Sequence, residues 1–338
     1  MCRTSNGYDT QAEESIKKNI DALIKDKPLY DNVFSACIKD GRGNLCPVTL
    51  ILPTLAMEAN RDVEKFMELL EKKIYEARDM LLERYEYMCK QSPSAAPFMY
   101  SNMTMEGYIP EEGIKSALRH GTIVIGQLGL AETLYLLVGC DHTQPLGMEL
   151  AKRIEGLYLK LCNQFKAELK LNVGVYFTPA ENLCSTAMKK FKAKYGEIKN
   201  VSDHDWFTNS IHIPVWHDIT SFEKIDLESQ LTGYSNAGCI TYVEIESKST
   251  DNIKAMEELV NYAMDKDIPY FALNFPIDTC LSCGHQGEIK DKCPECGSKD
   301  IQHLGRITGY LSTDVSNFNF GKQQEFKNRV RHIGKMDC

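Results

Sequence analysis

Four cysteines near the carboxyl terminus constrain this chain more than any other feature. They form two Cys-x-x-Cys pairs in the segment CLSCGHQGEIKDKCPECGS, and the four are Cys280, Cys283, Cys293 and Cys296. Each pair can present two thiolates from one tight turn, and four thiolates favour a closed, tetrahedral zinc site. A thioredoxin-type redox centre would need only one such pair. The spacing therefore predicts a structural zinc ribbon, which stabilises a fold and leaves the function open.

The other cysteines and the overall charge indicate a reduced protein with no nucleic-acid surface. The chain has 338 residues, of which 13 are cysteine, and its first residues, MCRTSNGYDTQAEESIKKN, contain no apolar run typical of an export signal. We therefore expect reduced thiols, metal ligands or redox groups rather than a disulfide framework, and a cytoplasmic location. A formal net charge of −8 argues against nucleic acid as a partner. The apolar stretch TIVIGQLGLAETLYLLVG contains Gln127 and Glu132, which favours a buried strand and helix over a membrane span.

Strands and helices alternate along most of the chain. A β-branched run from Val48 to Leu52 precedes a helical pattern over residues 61–91, and the segments LNVGVYFTP, GCITYVEIE and YFALNFPID are typical of later strands. The segment APFMYSNM is predicted to be extended. Alternation of this kind from residue 48 to residue 277 predicts an α/β sheet or barrel. The composition becomes rich in Cys and Gly at Cys280, so we predict two domains, residues 1–277 and 278–338.

The helical pattern over residues 61–91 carries an apolar stripe. Its members recur every three or four residues, with charged residues on the opposite face. We interpret this stripe as core packing. The predicted core residues of this helix are Val63, Phe66, Leu70, Ile74, Ala77, Leu81 and Tyr85.

A family resemblance begins just after the cysteine cluster. The segment RITGYL and the tail NFNFGKQQEFKNRVRH resemble the glycyl-radical domain of anaerobic (class III) ribonucleotide reductases. Further segments resemble that family in the same order, and they are CRTSNGYD, KDGRGNLCPVTLILPTLAMEA, HGTIVIGQLGLAETLYLLVG, TPAENLCSTAMKKF, FTNSIHIPVW and YFALNFPIDTC. Resemblance to other glycyl-radical enzymes stops at the Gly motif. The family resemblance implies the second half of a ten-stranded α/β barrel, followed by a zinc ribbon and a glycyl-radical loop.

The resemblance covers only part of the family's length. Its members are about twice as long, and this chain begins at their active-site cysteine loop. The first half of the barrel, the specificity-effector site and the nucleotide-binding regulatory cone would be missing. We therefore expect the C-terminal product of a split gene or a truncated reading frame, with an insertion at about residues 10–37.

The resemblance implies three groups on one reaction path. Gly309 would store a radical on its Cα, where the lack of a side chain lets the radical become planar. Cys2 would become the thiyl radical that removes the ribose 3′-hydrogen, and Asn44 would hydrogen-bond the ribose hydroxyls. From the residues alone, Gly309 could equally be a glycine at a strand bulge, and Asn44 is more typical of a Gly-rich turn. Cys2 beside the initiator Met is uninformative without the family.

The segment TPAENLCSTA carries a phosphate-binding hypothesis. A loop that leads into a helix presents free backbone N–H groups and the positive end of the helix dipole. Asn182, Ser185 and Thr186 could add hydrogen-bond donors to a triphosphate. The alternative is an N-capped helix without a ligand, and the residues do not decide between the two.

The resemblance also implies cofactors and partners. A radical-SAM activating enzyme would install the radical on Gly309, Zn²⁺ would be structural, and formate is the candidate reductant. The substrate would be a ribonucleoside triphosphate, and the partners would be an N-terminal half and a second copy in a homodimer, with no membrane. Two alternatives remain: a glycyl-radical spare part that restores a damaged enzyme, and a non-catalytic zinc-ribbon protein.

Overall fold

The computed structural model describes residues 43–102, 104–105, 107–245, 252–275, 277–287, 289, 291–307, 310–312 and 314–332. Two of the predicted catalytic residues, Cys2 and Gly309, lie outside these described residues. So does the predicted insertion at about residues 10–37.

Strands alternate with one or more helices from residue 44 to residue 274, as predicted, and four strands then follow one another. The strands are β1 (Asn44–Ile51), β2 (Thr122–Leu128), β3 (Asn172–Val175), β4 (Thr241–Glu244), β5 (Phe271–Asn274), β6 (Ile277–Cys280), β7 (Gln286–Gly287), β8 (Ile301–Ile307) and β9 (Tyr310–Ser312). The α-helices are α1 (Leu52–Glu58), α2 (Val63–Cys89), α3 (Pro97–Tyr100), α4 (Lys115–Leu118), α5 (Leu130–Val138), α6 (Pro145–Leu169), α7 (Asn182–Tyr195), α8 (Ser221–Thr232), α9 (Ile253–Asp265) and α10 (Phe320–Lys327). Short 3₁₀ turns lie at Pro93–Ala95, Pro110–Glu112 and Val315–Asn317.

Parallel strands form the α/β part of the molecule. Strands β1, β2 and β3 pair in that order, and β4 pairs with β5. The segment before β4 joins the two groups, because Ala237 N–H donates to the Val175 carbonyl and Phe177 N–H donates to the Gly238 carbonyl, both at 3.0 Å. The α/β part thus holds a three-stranded and a two-stranded parallel sheet, which these two hydrogen bonds connect, and the predicted α/β class is confirmed.

The predicted apolar helix is present as α2. Asp62 caps it by accepting a hydrogen bond from the Lys65 N–H at 2.9 Å, and an Asp at this position satisfies one of the free N–H groups of the first turn. All predicted core residues after Val63 are buried, and Val63 itself is partly buried. The stripe packs against β1, β2 and α6, so α2 covers one side of the sheet.

Two local predictions were wrong. The segment APFMYSNM is not extended, because Pro97 begins the short helix α3, and the fixed φ of proline suits the first helical position. The segment YFALNFPID contains two strands rather than one. Strand β5 is parallel to β4, whereas β6 is antiparallel to β7 and β8, so the chain leaves the parallel strands between Asn274 and Ile277.

The second sheet has the order β7-β6-β8-β9 and is antiparallel. Strand β6 ends at Cys280, the first residue of the cysteine cluster. Strands β8 and β9 pair through Ile307 and Tyr310, the residues on either side of positions 308–309. Among the helices described, none combines the length and the apolar character that crossing a membrane requires.

After this sheet, the C-terminal segment (residues 319–332) returns to the α/β part. Helix α10 packs on α7, and the residues after it reach β4. Val330 N–H donates to the Val215 carbonyl at 3.0 Å. His332 and Glu244 exchange two bonds, each 2.8 Å long: the His332 N–H donates to the Glu244 carbonyl, and His332 Nδ1 accepts from the Glu244 N–H. The last described residues are thus bound to the end of β4.

Candidate functional site

The four predicted metal-binding cysteines lie together. Their sulfur atoms are all within 4.8 Å of one another. Two Sγ–Sγ distances, Cys280 to Cys296 and Cys283 to Cys293, are 3.6 Å. A tetrahedral zinc–thiolate site with bonds of about 2.3 Å requires sulfur separations of about 3.8 Å. The arrangement therefore fits one zinc ion.

The two halves of the cluster have the same backbone geometry. In each half, the glycine after the second cysteine donates its N–H to the carbonyl of the first: Gly284 to Cys280 at 2.8 Å and Gly297 to Cys293 at 2.9 Å. The φ angles of these glycines are +77° and +71°, a region that side chains disfavour, so the turn requires glycine. The sequence thus builds the same turn twice, and the two turns present their sulfur atoms to a common centre.

Asn44 lies at the start of β1 and is buried. Its side-chain Nδ2 donates to the Ala237 carbonyl at 3.1 Å. Its Oδ1 accepts no hydrogen bond from any described residue. A buried amide oxygen normally has a donor, so this atom is suited to accept one from a bound molecule.

The three predicted phosphate ligands lie in the first turns of α7 but face different ways. Asn182 and Thr186 are one turn apart and exposed, so they share a face of the helix. Ser185 is buried and packs against Gly321 of α10; a Cβ built on Gly321 would lie 2.5 Å from the Ser185 Cβ. Asn44 is at the opposite end of the parallel strands, because it pairs with Thr122 at the start of β2, whereas α7 follows β3.

Residues 206–213 form a polar loop that is buried. The sequence predicts a loop here but not its burial. Loops normally run over the surface, because a buried loop must find partners for its polar groups. Here Glu132 of α5 supplies them: its Oε1 accepts from the Thr208 N–H at 2.7 Å and from the Thr208 hydroxyl at 2.8 Å. Burial raises the pKa of Glu132 to about 7, although the Thr208 bonds oppose this shift. The Ser210 hydroxyl donates to the Thr178 carbonyl at 2.6 Å, which ties the loop to the end of β3.

A network of buried ion pairs, also missed, joins the C-terminal segment to β4. Arg329 donates from Nη1 to Glu244 at 2.7 Å and from Nη2 to Glu325 at 3.3 Å, and Lys322 donates to the other oxygen of Glu325. Although burial opposes ionisation of Glu325, the charges of Lys322 and Arg329 lower its pKa to about 2. Beside the network, a cavity of about 30 Å³ separates the buried loop from β4 and the C-terminal segment, which is room for one or two water molecules.

The sequence does not show that Glu244 meets the other three members of this network. Glu244 is 85 residues before Arg329, and the segment that carries Lys322, Glu325 and Arg329 has no apolar stripe. A signal was nevertheless present. The tail FGKQQEFKNRVRH places basic and acidic residues three and four apart, which is the spacing of one helix face.

Comparisons with known proteins agree on one family. A family model described as anaerobic ribonucleoside-triphosphate reductase matches residues 2–332. Curated relatives of the same description from Escherichia coli (strain K12) and Enterobacteria phage T4 are each 32% identical, over 90% and 87% of this chain. The chain spans 45% and 50% of their lengths, so about half of each relative has no counterpart here.

Solved structures share the fold at lower identity. One anaerobic ribonucleotide reductase superimposes with a TM-score of 0.72 at 20% identity, over 86% of this chain and 45% of that one. The Thermotoga maritima enzyme in complex with dATP and CTP gives a TM-score of 0.63 at 21% identity, over 84% of this chain and 47% of that one.

Proposed function

Because the chain belongs to the anaerobic ribonucleoside-triphosphate reductase family, we propose that it is the catalytic C-terminal half of such an enzyme. The proposed reaction reduces a ribonucleoside triphosphate to the deoxyribonucleotide used in DNA synthesis. The observation that carries the proposal is the family match over residues 2–332, which includes far more than the tail. A glycyl-radical spare part would need only that tail, and a zinc-ribbon binding protein would not need the five parallel strands. Neither alternative is favoured.

The proposed chemistry uses two radical positions of the chain. A radical-SAM activating enzyme would remove one hydrogen atom from the Cα of Gly309. The hydrogen atom of the Cys2 thiol would then move to Gly309, which restores the glycine and leaves a thiyl radical on Cys2. This thiyl would take the 3′-hydrogen atom of the ribose, after which the 2′-hydroxyl takes up a proton and leaves as water. Once formate has supplied one hydrogen and two electrons to the ribose, Cys2 would return its hydrogen atom to C3′. The thiyl radical formed again in this way would take back a hydrogen atom from Gly309, which restores the stored radical. Formate, as in the formate-dependent members of the family, is the proposed source of the reducing electrons and would leave as carbon dioxide.

Asn44 is proposed to bind the ribose of the substrate. Its Oδ1 is buried and receives no hydrogen bond from the described residues, while its Nδ2 is fixed by the Ala237 carbonyl. A ribose hydroxyl could donate to this oxygen. The fixed Nδ2 would orient the amide before the substrate arrives, which reduces the entropy lost on binding.

The start of α7 is proposed to bind the triphosphate. Because Asn44 and α7 lie at opposite ends of the parallel strands, one nucleotide can contact both only if it lies along these strands. Asn182 and Thr186 are exposed on one face, near the positive end of a helix of 14 residues. Ser185, the third proposed ligand, lies on the side of α7 that packs against α10. It would therefore stand between the phosphates and the C-terminal segment.

The parallel strands are proposed to form one half of a ten-stranded barrel. A separate N-terminal half would supply the other five strands. The complete enzyme would be a homodimer in the cytoplasm. Residues 278–338 would form a zinc ribbon and radical domain. The four cysteines would hold zinc, whose contribution is structural: it would fix β6 next to β8, the strand that leads to Gly309.

An anaerobic turnover assay tests the function. The chain would be combined with an N-terminal half, an activating enzyme, S-adenosylmethionine, formate and CTP, and deoxycytidine triphosphate would be measured. We expect product with the natural chain, none with Cys2→Ser, and a strongly reduced rate with Asn44→Ala. The matched control is Cys140→Ser, a partly buried thiol outside the proposed site, which should retain activity. Formation of a radical without any product, in the presence of the N-terminal half, would favour the spare-part alternative.

Metal content tests the ribbon separately. We expect one zinc ion per chain by elemental analysis. Cys283→Ser should lose it, because a site of four thiolates with one ligand removed no longer has its closed tetrahedral set. The control Cys89→Ser changes a thiol outside the cluster and should keep the metal. A chain that contains no zinc after anaerobic purification with zinc present would contradict the ribbon.

A further inference from the structure

The ammonium group of Lys322 is fully buried, with 0% of the side chain exposed. It donates to Glu325 on its own helix and lies 3.9 Å from the Cys184 sulfur of α7. An ammonium group withdrawn from water needs polar partners on all its N–H groups. Lys322 therefore holds α10 against the groups that surround its ammonium, and these groups determine which part of the protein α10 is linked to.

Asn209 of the buried loop is its third neighbour. A lysine can only donate and a peptide carbonyl can only accept, so the amide orientation of Asn209 follows from its two neighbours. The amide oxygen accepts from Lys322 Nζ at 2.8 Å, and the amide nitrogen donates to the Pro179 carbonyl. One side chain thus connects the C-terminal segment to the turn that precedes α7.

That turn has an unfavourable backbone. Ala180 and Glu181 have φ angles of +49° and +42°, in a region where residues other than glycine are uncommon. Such conformations persist only where the surrounding structure holds them. The bond from Asn209 to the Pro179 carbonyl is one such restraint, and α7 begins at the next residue after the turn, Asn182.

A second contact joins the same two elements. Gly321, the neighbour of Lys322, packs so closely on Ser185 that an added Cβ would lie 2.5 Å from the Ser185 Cβ. Helix α10 therefore cannot shift on α7 without disturbing this contact. The steric contact and the hydrogen-bond chain are independent, and both lead from the C-terminal segment to the first turns of α7.

We propose that Lys322 is a positioning residue, which couples the seating of the C-terminal segment to the shape of the turn at residues 179–181. This inference rests on the proposed function, in which that segment follows the radical glycine and the turn leads to the triphosphate. When the C-terminal segment packs in place, the turn at residues 179–181 then takes the shape that binds the triphosphate. Because coupling between two sites is reciprocal, a bound triphosphate also holds the radical domain in place.

Hydrogen–deuterium exchange on the full chain tests the link without any ligand. Lys322→Met removes the charge at similar length, and Glu325 keeps Arg329 as a partner. We expect the amides of residues 180–186 to exchange about fivefold faster or more, the lower end of typical couplings. Lys327→Met, an exposed lysine on the same helix, is the matched control and should leave them unchanged. Equal exchange in the two variants overturns the inference.

Two further variants separate positioning from a general loss of stability. Leu259→Ala removes a buried side chain from a different cluster, so it lowers global stability without touching the link. It should not raise exchange at residues 180–186 selectively. In an Asn209→Ala background, Lys322→Met should add little further effect, because the chain of bonds is already broken. Additive effects of the two substitutions would contradict a shared path.

Addition of CTP tests the reciprocal effect. In the natural chain, CTP should slow exchange in residues 320–327, and the same protection should be present in Lys327→Met and absent in Lys322→Met. Protection that persists in Lys322→Met overturns the coupling. If the ligand-free link is present but CTP protects neither residues 180–186 nor residues 320–327, the proposed phosphate site fails while the link between α10 and the turn stands.

Discussion

Helices α2 and α10 both bury one face, but they bury opposite chemistry. The 27 residues of α2 present an apolar stripe to the sheet. The eight residues of α10 bury a glycine, a lysine and a glutamate, namely Gly321, Lys322 and Glu325. Apolar burial is favourable and non-directional, whereas buried charges are tolerated only in one arrangement with their partners. Helix α2 can therefore pack against apolar neighbours in many arrangements, whereas the position of α10 is determined by a few charged partners.

This difference matches the proposed roles of the two regions. Helix α2 covers the sheet and needs only to stay in place. The C-terminal segment follows the predicted radical position, where the distance over which a hydrogen atom moves must be set narrowly. We interpret the ion pairs as a device for position rather than for stability.

The largest expected effect comes from breaking the ion network. Arg329→Met leaves Glu244 and Glu325 buried beside a missing cation, so we expect a loss of about 3–5 kcal/mol in the free energy of unfolding, measured with urea. Arg331→Met makes the same change two residues away, where the side chain is 33% exposed and its nearest Nη1–Glu244 oxygen distance is 3.9 Å. We expect that control to cost much less. Equal losses would show that burial of the charges does not matter here.

A core substitution in α2 should cost slightly less. Leu70 is fully buried, so Leu70→Ala should lower the free energy of unfolding by about 2–5 kcal/mol through lost apolar contact and a cavity. Met80 on the same helix is 54% exposed, and Met80→Ala should change stability by about 0.5 kcal/mol or less. The contrast with α10 is sharpened if Leu70→Ala leaves exchange in residues 319–332 unchanged. Selectively faster exchange in residues 319–332 of Leu70→Ala would contradict this contrast between the two helices.

Per pH unit, the expected effects of pH are smaller than those of the two buried-site substitutions, and the buried carboxylates of Glu155 and Glu325 should act in opposite directions. Burial raises the pKa of Glu155 on α6 to about 8, although Gln127 Nε2 donates to it at 2.6 Å. The pKa of a glutamate in the unfolded chain is about 4.3. Between about pH 4.3 and about pH 8, Glu155 therefore carries a proton in the folded state but not in the unfolded state. The free energy of unfolding then falls as pH rises, by up to about 1.4 kcal/mol per pH unit. Glu155→Gln should make this slope less steep in urea titrations, while Glu132, whose pKa is raised to about 7, continues to contribute below pH 7. An unchanged slope would contradict the raised pKa of Glu155.

Glu325 should show the opposite dependence. Its pKa is lowered to about 2, so the unfolded state binds the proton first as pH falls from about 5. Its stabilising contribution is complete above the unfolded pKa and is lost as pH falls towards 2. Glu325→Gln should therefore reduce the acid-induced loss of stability and leave the slope above pH 5 unchanged. A change in the slope near pH 7 would contradict the assignment.

The same contrast explains what the sequence could predict. The α2 stripe and the two Cys-x-x-Cys turns are local patterns, and their residues are brought together by one helix or one turn, so both were predicted. Glu132 beside Thr208 and Glu244 beside Arg329 depend on where distant elements meet. The β5–β6 boundary was missed because the segment YFALNFPID is mostly apolar on both sides of it, and the change from parallel to antiparallel pairing leaves no periodic signal. Asn44 was chosen from the family resemblance, and Asn182, Ser185 and Thr186 were chosen because a loop leads into a helix there. The roles of all four stay predictions.

The central claim is that this chain carries a glycyl radical, and electron paramagnetic resonance tests it most directly. The chain would be incubated without oxygen with an activating enzyme, a reductant and S-adenosylmethionine, then frozen. We predict a doublet from one unpaired electron coupled to the remaining Cα hydrogen of Gly309, and its complete loss in Gly309→Ala. A doublet that persists in Gly309→Ala would place the radical elsewhere. No radical in the natural chain, with a zinc-loaded protein and an activating enzyme proven on another substrate, would contradict the account.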